Sequence, residues 1–480
     1  MSKPILRLAS LAGAAALLAA CASDGGLQPQ ARLLDANHLS AQATLSQASL
    51  SVAAWPPRDW WRRYSDAQLD QIIDEALAGS PALRAASARV RQAQAVAGLT
   101  ESAMAPQVTA TAHSERLQLS AAGDVPPPLA GGHAWHSEAA LHLNYDLDFW
   151  GKHEAALDAA LGRQKVSEVE AEAARLLLTV GLVQNYLKLS QLYAQRDLAE
   201  QVLQQRLQVL ALTQQRVAAS IDAEADLKQA ELAVPLARND ITASDEAIAL
   251  VRLQLAALIG AGPDRGATIA RPQLQAVRPA AVPATLPSDL LARRPDVVAQ
   301  RWRVEALRKD IDVAHAQFYP TVDLNGLIGL QAFGLSNFLQ GRNAITGLGL
   351  GLSLPIFDGG RLRSNLALRD AEYDQAVEAY NQTLVDALRD VASQLVYIQW
   401  LAERNTQQAQ ALKAAQQAYG LSLQRYRAGV GNYLQVLATQ LQLLNQQRAQ
   451  IDLDARSLEL DMQLARALGG GYSGLPLSSQ

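Results

Sequence analysis

Two kinds of hydrophobic periodicity alternate along the chain. Residues 129–234 and 356–475 contain no proline, and their apolar positions recur at spacings of three and four. This spacing is typical of helices that pack along a coiled-coil seam. It predicts one helix over residues 152–219 and another over residues 361–428, each on the order of 100 Å long at 1.5 Å per residue.

Each long helix is followed by a turn signal and a second helical pattern. The turns are predicted at residues 220–222 and 429–432, where glycine and asparagine suit the left-handed backbone of a tight connection. The sequence therefore predicts two long helical hairpins. A shorter helix is expected before each strand region, with Asp66 and Ser288 as the N-caps.

Four other segments alternate at period two between apolar and polar residues, which predicts β-strands. They lie near residues 107–113, 135–149, 321–330 and 347–356, and several have an aromatic residue near one end. A soluble sandwich shows the same alternation as an outer-membrane strand, which carries its apolar row outward and its polar row inward. Strands of ten residues or more with terminal aromatics favour the membrane interpretation.

The chain contains an internal repeat. Pro81 matches Pro295 at an offset of 214, and Arg216 matches Arg425 at an offset of 209. Matched residues that keep nearly the same offset over so long a span predict two copies of one unit. The expected divisions are a signal peptide (1–20), an N-terminal tether (21–59), a first repeat (60–262), a proline-rich linker (263–287), a second repeat (288–470) and a tail (471–480).

The N-terminus has the composition of a secretory signal. Lys3 and Arg7 precede an apolar run of about 14 residues, which is too short for a bilayer core that needs about 20. The run ends in the string LAAC, which resembles a bacterial lipobox. Cys21 is therefore predicted to be acylated and to become the mature N-terminus. The alternative is an ordinary signal peptide with an incidental cysteine.

Composition excludes several classes of protein. The 42 basic and 46 acidic residues give a net charge of −4, so a nucleic-acid-binding surface is not expected. One cysteine excludes an intramolecular disulfide. No catalytic or phosphate-binding motif is present, and Asp146 with Asp148 fits a solvated barrel lining better than an acid–base pair. His133, His136 and His142 lie close in sequence, but metal ligands usually need further donors, and His136 and His142 continue the polar row, so neither a metal site nor a cofactor is predicted.

Strand number constrains the assembly. Four strands per chain cannot close a membrane barrel, because every lipid-facing backbone group must be paired and single-chain barrels begin at about eight strands. Several chains must therefore share one barrel. Two, three or four protomers all give an even strand count, so this argument leaves the stoichiometry open.

Several strings together carry a family resemblance. They are LDFWGK (147–152), LPSDLLARRPDV (286–297), FYPTVDL (318–324), LSLPIFDGGRLRSNL (352–366) and QRYRAGVGNYLQVL (424–437). The chain resembles the TolC-type outer membrane efflux proteins, and more narrowly the OprM/NodT-like lipoprotein branch. The resemblance implies an α+β membrane protein: a homotrimer that shares a 12-stranded outer-membrane β-barrel and a long periplasmic α-helical barrel, with an internal two-fold repeat.

The resemblance also implies partners and sites. A periplasmic adaptor (membrane fusion) protein would dock on the hairpin tips and couple the duct to an inner-membrane pump of the major-facilitator or resistance-nodulation-division type. The docking residues expected from the resemblance are Arg216, Ala219, Ser220, Arg425, Gly429 and Val430. Helix-dipole complementarity is an alternative reason for the two arginines. Asp222 and Asp226 are the candidate periplasmic gate, whereas Gly431 and Ala438 stand where relatives often have aspartate.

Three functional hypotheses follow. The first is an outer-membrane duct, not an enzyme, that passively conducts drugs or other small toxic molecules. The second is the duct of a type I protein secretion system, and the third is a lipid-anchored periplasmic coiled-coil scaffold without transport. The lipobox and the LDFWGK string favour small-molecule efflux.

Overall fold

A computed structural model describes residues 24–35, 55–275, 293–334 and 338–474. Cys21, the signal peptide, the proposed Ser288 cap and much of the proline-rich linker lie outside the described residues. Within the described part of the chain, no helix carries an apolar stretch long enough to cross a bilayer.

The described elements follow one another in nearly the same order twice. A 3₁₀ turn at Trp60–Tyr64 precedes the first set. The helices and strands are α1 (Ala67–Gly79), α2 (Pro81–Ser102), β1 (Gln107–Gln118), β2 (His133–Leu147), α3 (Lys152–Ala218), α4 (Glu224–Ile259), α5 (Pro263–Ala267), α6 (Pro295–Ala316), β3 (Thr321–Phe333), β4 (Ala344–Ser353), α7 (Arg361–Arg427) and α8 (Tyr433–Ala467). The predicted internal repeat is confirmed, and both long helices end within one residue of their predicted ends.

One expectation about the short helices was incomplete. Asp66 is the predicted N-cap, and its carboxylate accepts the backbone N–H groups of Gln68 and Leu69. However, the first repeat has two short helices before its strands, because Ser80 adopts an extended backbone (ψ 125°). Pro81 disfavours a helical conformation at the residue before it, which divides the segment into α1 and α2.

The chain comprises two compact units, each made of three sequence segments. The first unit contains residues 89–167 and 299–381 and carries all four described strands. They form one antiparallel sheet in the order β1-β2-β3-β4. In this unit residues 24–33 also lie along α7, where the backbone N–H groups of Gln30 and Ala31 donate to the Asp374 carboxylate.

The second unit contains both hairpin turns and the largest buried cluster. Trp60, Tyr64 and the apolar face of α1 pack there against α3 and α4. The fully buried Asp461 pairs with Arg63 at 2.9 Å and accepts the Tyr64 hydroxyl at 3.1 Å. The pairing satisfies a charge that would otherwise be costly to bury.

Candidate functional site

The turn between α3 and α4, residues 219–223, is called tip 1. Ser220 has a φ of 60°, which is unusual for a residue other than glycine. Its N–H donates to Val217 O, and the Ile221 N–H donates to Arg216 O, both at 2.9 Å. These two bonds form a Schellman motif, which satisfies carbonyl groups at the end of the long helix.

The turn between α7 and α8, residues 428–432, is called tip 2 and repeats this geometry. Gly429 has a φ of 79°, and the Val430 N–H donates to Arg425 O at 3.1 Å. Asn432 then caps α8 by accepting the Gln435 N–H at 2.9 Å. The two tips are thus equivalent in backbone structure and 209 positions apart in sequence.

Four side chains join the two hairpins at these tips, and we call them the tip cluster: Thr213, Arg216, Asp222 and Tyr426. Two guanidinium nitrogens of Arg216 donate to the Asp222 carboxylate, each at 2.8 Å, and a third donates to the Tyr426 carbonyl at 2.7 Å. The Tyr426 hydroxyl donates to Asp222 at 2.6 Å and lies 2.9 Å from the Thr213 hydroxyl. The Arg216 guanidinium also lies 4.3 Å from the centre of the Tyr426 ring, a cation–π contact.

The contacts of the tip cluster shift the pKa values of its three ionisable side chains, Arg216, Asp222 and Tyr426. Hydrogen bonds from Arg216 lower the pKa of Asp222, and those same bonds raise the pKa of Arg216. Burial raises the pKa of the Tyr426 phenol to about 12. Asp222 is therefore ionised and Tyr426 protonated at neutral pH, which is the combination that the hydrogen bonds require.

The structure separates the sequence-predicted tip residues into two groups. Arg216 is buried in the tip cluster, so its guanidinium is not on the surface. The exposed members are Ala219, Ser220, Arg425, Gly429 and Val430, with 75% of Val430 exposed. Ile221, which sequence reasoning did not single out, is 58% exposed at the matching position of tip 1.

The two candidate gate carboxylates have different environments. Asp222 lies in the tip cluster, whereas Asp226 accepts the backbone N–H of Ala223 at 3.3 Å, as a residue in the first turn of α4 can. Sequence reasoning missed Thr213 and Tyr426. The available signal for Tyr426 was its position immediately after Arg425, the arginine that the repeat matches with Arg216.

The sheet presents a polar row and two open edges. Asn144 on β2 donates to Asn325 on β3 at 2.9 Å, so the predicted polar rows of these strands share one face. Residues of the opposite row, such as Leu348 and Leu352, are more than 70% exposed. Within the described chain β1 and β4 each pair on one side only, which leaves backbone groups at both edges available to another chain.

The carboxylates at the end of β2 have structural partners. Asp148 accepts the backbone N–H groups of Lys152, His153 and Glu154 and so caps α3. Asp146 accepts the Lys152 ammonium at 2.7 Å. The oxygens of Asp148 therefore also stabilise the start of a helix, and its expected place in the barrel lining stays a prediction.

Comparison with known proteins gives consistent matches. The family model "Outer membrane efflux protein" matches residues 72–261 and 286–470. The chain is 41% identical over 377 residues to the fusaric acid resistance protein FusA of Burkholderia cepacia, covering 77% of this chain and 70% of that protein. It is 33% identical over 491 residues to the multidrug resistance outer membrane protein MdtP of Escherichia coli K12, covering 98% of each. The crystal structure of the outer membrane protein VceC from Vibrio cholerae aligns with a TM-score of 0.82 and 36% identity, over 87% of this chain and all of that one.

Proposed function

The chain belongs to the outer membrane efflux protein family and is an outer-membrane efflux channel, and on that premise we propose that three copies form one passive duct for small toxic molecules. The open sheet supports a barrel shared by several copies, and the number three comes from the family resemblance. The exposed apolar row of the sheet suits lipid, but the two edges that are unpaired within the described residues are incompatible with an isolated chain in a membrane, since lipid offers no hydrogen bonds. Three copies of a four-stranded sheet would close a 12-stranded barrel.

The substrate class rests on the relatives. FusA is named for resistance to fusaric acid and MdtP for multidrug resistance. We infer that this chain carries drugs or similar small molecules, that it has no catalytic activity, and that a periplasmic adaptor connects it to an inner-membrane pump. The pump, of the major-facilitator or resistance-nodulation-division type, supplies the energy. Cys21 is the proposed site of the lipid anchor.

We assign adaptor docking to the exposed residues of the two tips. Ala219, Ser220, Gly429 and Val430 present a small, largely apolar surface, and Arg425 adds an exposed positive charge. Arg216 contributes indirectly, because it holds Asp222 and the Tyr426 carbonyl in place behind that surface. Replacing Val430 with aspartate should weaken adaptor binding at least tenfold, whereas the isosteric Val430→Thr should retain most of it.

The tip cluster is the proposed gate contact within each chain. It holds the α3–α4 turn against the end of α7, so separating the hairpins requires breaking the bonds from Tyr426 to Asp222 and from Arg216 to Tyr426. Opening would then be a two-state rearrangement of packed helices, biased by contact with the adaptor.

Gene deletion tests the proposed transport function. A deletion strain should become sensitive to drugs and solvents, and the full-length gene should restore resistance. The secreted proteins should not change. Loss of a secreted protein without sensitisation would favour type I secretion, and no change in either would favour the scaffold. Native mass spectrometry of the purified protein should give three copies, and any other number would overturn the proposed trimer.

A further inference from the structure

A group of potential metal ligands lies on the polar face of the sheet, near the β1–β2 hairpin. His113 and Glu115 lie on β1, and His136 lies directly opposite Glu115 on β2. One ligand atom from each of the three side chains lies within 4.8 Å of those of the other two. The group is remote from the helical end of the sheet, where β1 begins and β2 ends.

We propose that His113, Glu115 and His136 bind a divalent transition-metal ion of the zinc class. Two imidazoles and one carboxylate form a donor set that suits Zn²⁺ better than Ca²⁺ or Mg²⁺, which prefer oxygen ligands. Three protein ligands leave a fourth position for water. Glu115 is largely exposed and can therefore adjust to the ion, whereas the His136 ring is mostly enclosed and fixed.

An unsatisfied atom supports this assignment. His136 Nδ1 is buried without a hydrogen-bond partner and faces Glu115 Oε1 at 3.9 Å. Leaving a buried polar nitrogen without a partner destabilises the fold, so native structures seldom retain one without a reason. A bound cation between Nδ1 and the carboxylate would satisfy both atoms.

The other nitrogen of the same ring has a side-chain amide as its partner. The Gln331 amide nitrogen on β3 lies 2.9 Å from His136 Nε2 and 3.5 Å from Glu138 Oε2, and as placed it donates to the ring. Metal binding at Nδ1 requires the other tautomer, in which a half-turn of the amide presents its oxygen to an Nε2–H group. Such outer partners orient metal-binding histidines and increase their affinity for the metal.

Sequence proximity groups His136 with two histidines, His133 and His142, that do not belong to the proposed site. His142 accepts or donates a bond with the Thr111 hydroxyl at 2.9 Å, and His133 lies at an odd position of β2, on the other face from His136. The ligands that do converge, His113 and Glu115 on β1 and His136 on β2, are more than twenty residues apart in sequence. Only the antiparallel register brings them together.

Zinc binding by the full-length protein tests the site directly. Protein purified without a polyhistidine tag is dialysed against buffered free Zn²⁺, and bound metal is measured by elemental analysis. We expect one zinc ion per chain. His136→Gln and His113→Gln should each lower the affinity by about 10-fold to 100-fold or more, and Gln331→Ala by about 10-fold. The matched control His142→Gln should bind zinc as the wild type does.

The outcomes separate clearly. Wild-type protein that takes up no zinc at micromolar free metal would overturn the proposal, as would equal binding by the wild type and the double variant His113→Gln/His136→Gln. Native mass spectrometry verifies that each variant keeps its assembly state. Zinc binding is measured without transport, so its failure is distinguishable from failure of the proposed duct. If the zinc site and the proposed duct both hold, the three zinc sites of a trimer would line the outer part of the pore.

Discussion

Replacing Tyr426 with phenylalanine should increase opening of the duct by about tenfold. The change removes the hydroxyl that donates to Asp222 at 2.6 Å but keeps the ring under the Arg216 guanidinium. A hydrogen bond to a charged group contributes about 1.5–3 kcal/mol. Asp222 keeps both of its bonds from Arg216, so the lower end of that range applies, and about 1.4 kcal/mol corresponds to a factor of ten.

Single-channel recording in planar bilayers measures this change as the ratio of open to closed time. The control Tyr419→Phe removes a hydroxyl from the same apolar cluster without affecting Asp222 and should behave as the wild type. A second control uses Asp222→Ala, in which Tyr426→Phe should add less than about 0.5 kcal/mol because its partner is absent. An open probability of Tyr426→Phe within twofold of the wild type would refute the gate assignment.

Three further predictions concern the tips and the core. Hydrogen bonds from Arg216 lower the pKa of Asp222 below its ordinary 3.8, so the tip cluster should hold above that pH and weaken as the pH falls below it. Open probability should therefore rise only in strong acid, and Asp222→Asn should abolish this dependence; an unchanged dependence in Asp222→Asn would contradict the assignment. Ser220→Gly relieves a φ of 60° and should stabilise tip 1 by about 0.5–1 kcal/mol, seen as slower amide hydrogen exchange, while Gly429→Ser should speed exchange at tip 2. Asp461→Ala leaves the buried Tyr64 hydroxyl without its carboxylate and should cost about 2–4 kcal/mol, lowering the thermal unfolding midpoint, whereas the exposed Asp454→Ala should have little effect.

Local sequence patterns were sufficient for the long elements. Helices of 67 residues repeat their apolar spacing many times, and proline bounds the region in which they can form, so α3 and α7 were predicted to within one residue. The strands were predicted because one face is apolar and the other polar. The break at Ser80 was missed, although Pro81 was the available signal, because proline is disfavoured inside a helix and common in its first turn.

Contacts between distant residues could not be predicted in the same way. Tyr426 and Asp222 are 204 positions apart, and no periodicity relates them. The Arg216–Asp222 pair was closer to prediction, since both residues had been singled out, but for different roles. Burial of Arg216 follows from the way tip 1 folds back on α7, which the local pattern does not show.

The duplicated chain also bears on why the tip cluster contains a carboxylate from only one tip. The repeat matches Asp222 with Gly431, and a Cβ atom at position 431 would lie 3.0 Å from the Tyr426 backbone nitrogen and 3.1 Å from the Arg425 carbonyl carbon. Both contacts are with the backbone of the same turn, so a side chain at 431 requires that backbone to shift by a few tenths of an ångström. Because Tyr426 donates to Asp222, such a shift would strain this hydrogen bond. The tip cluster of this chain therefore takes its one carboxylate from tip 1 and the partners of that carboxylate from both copies.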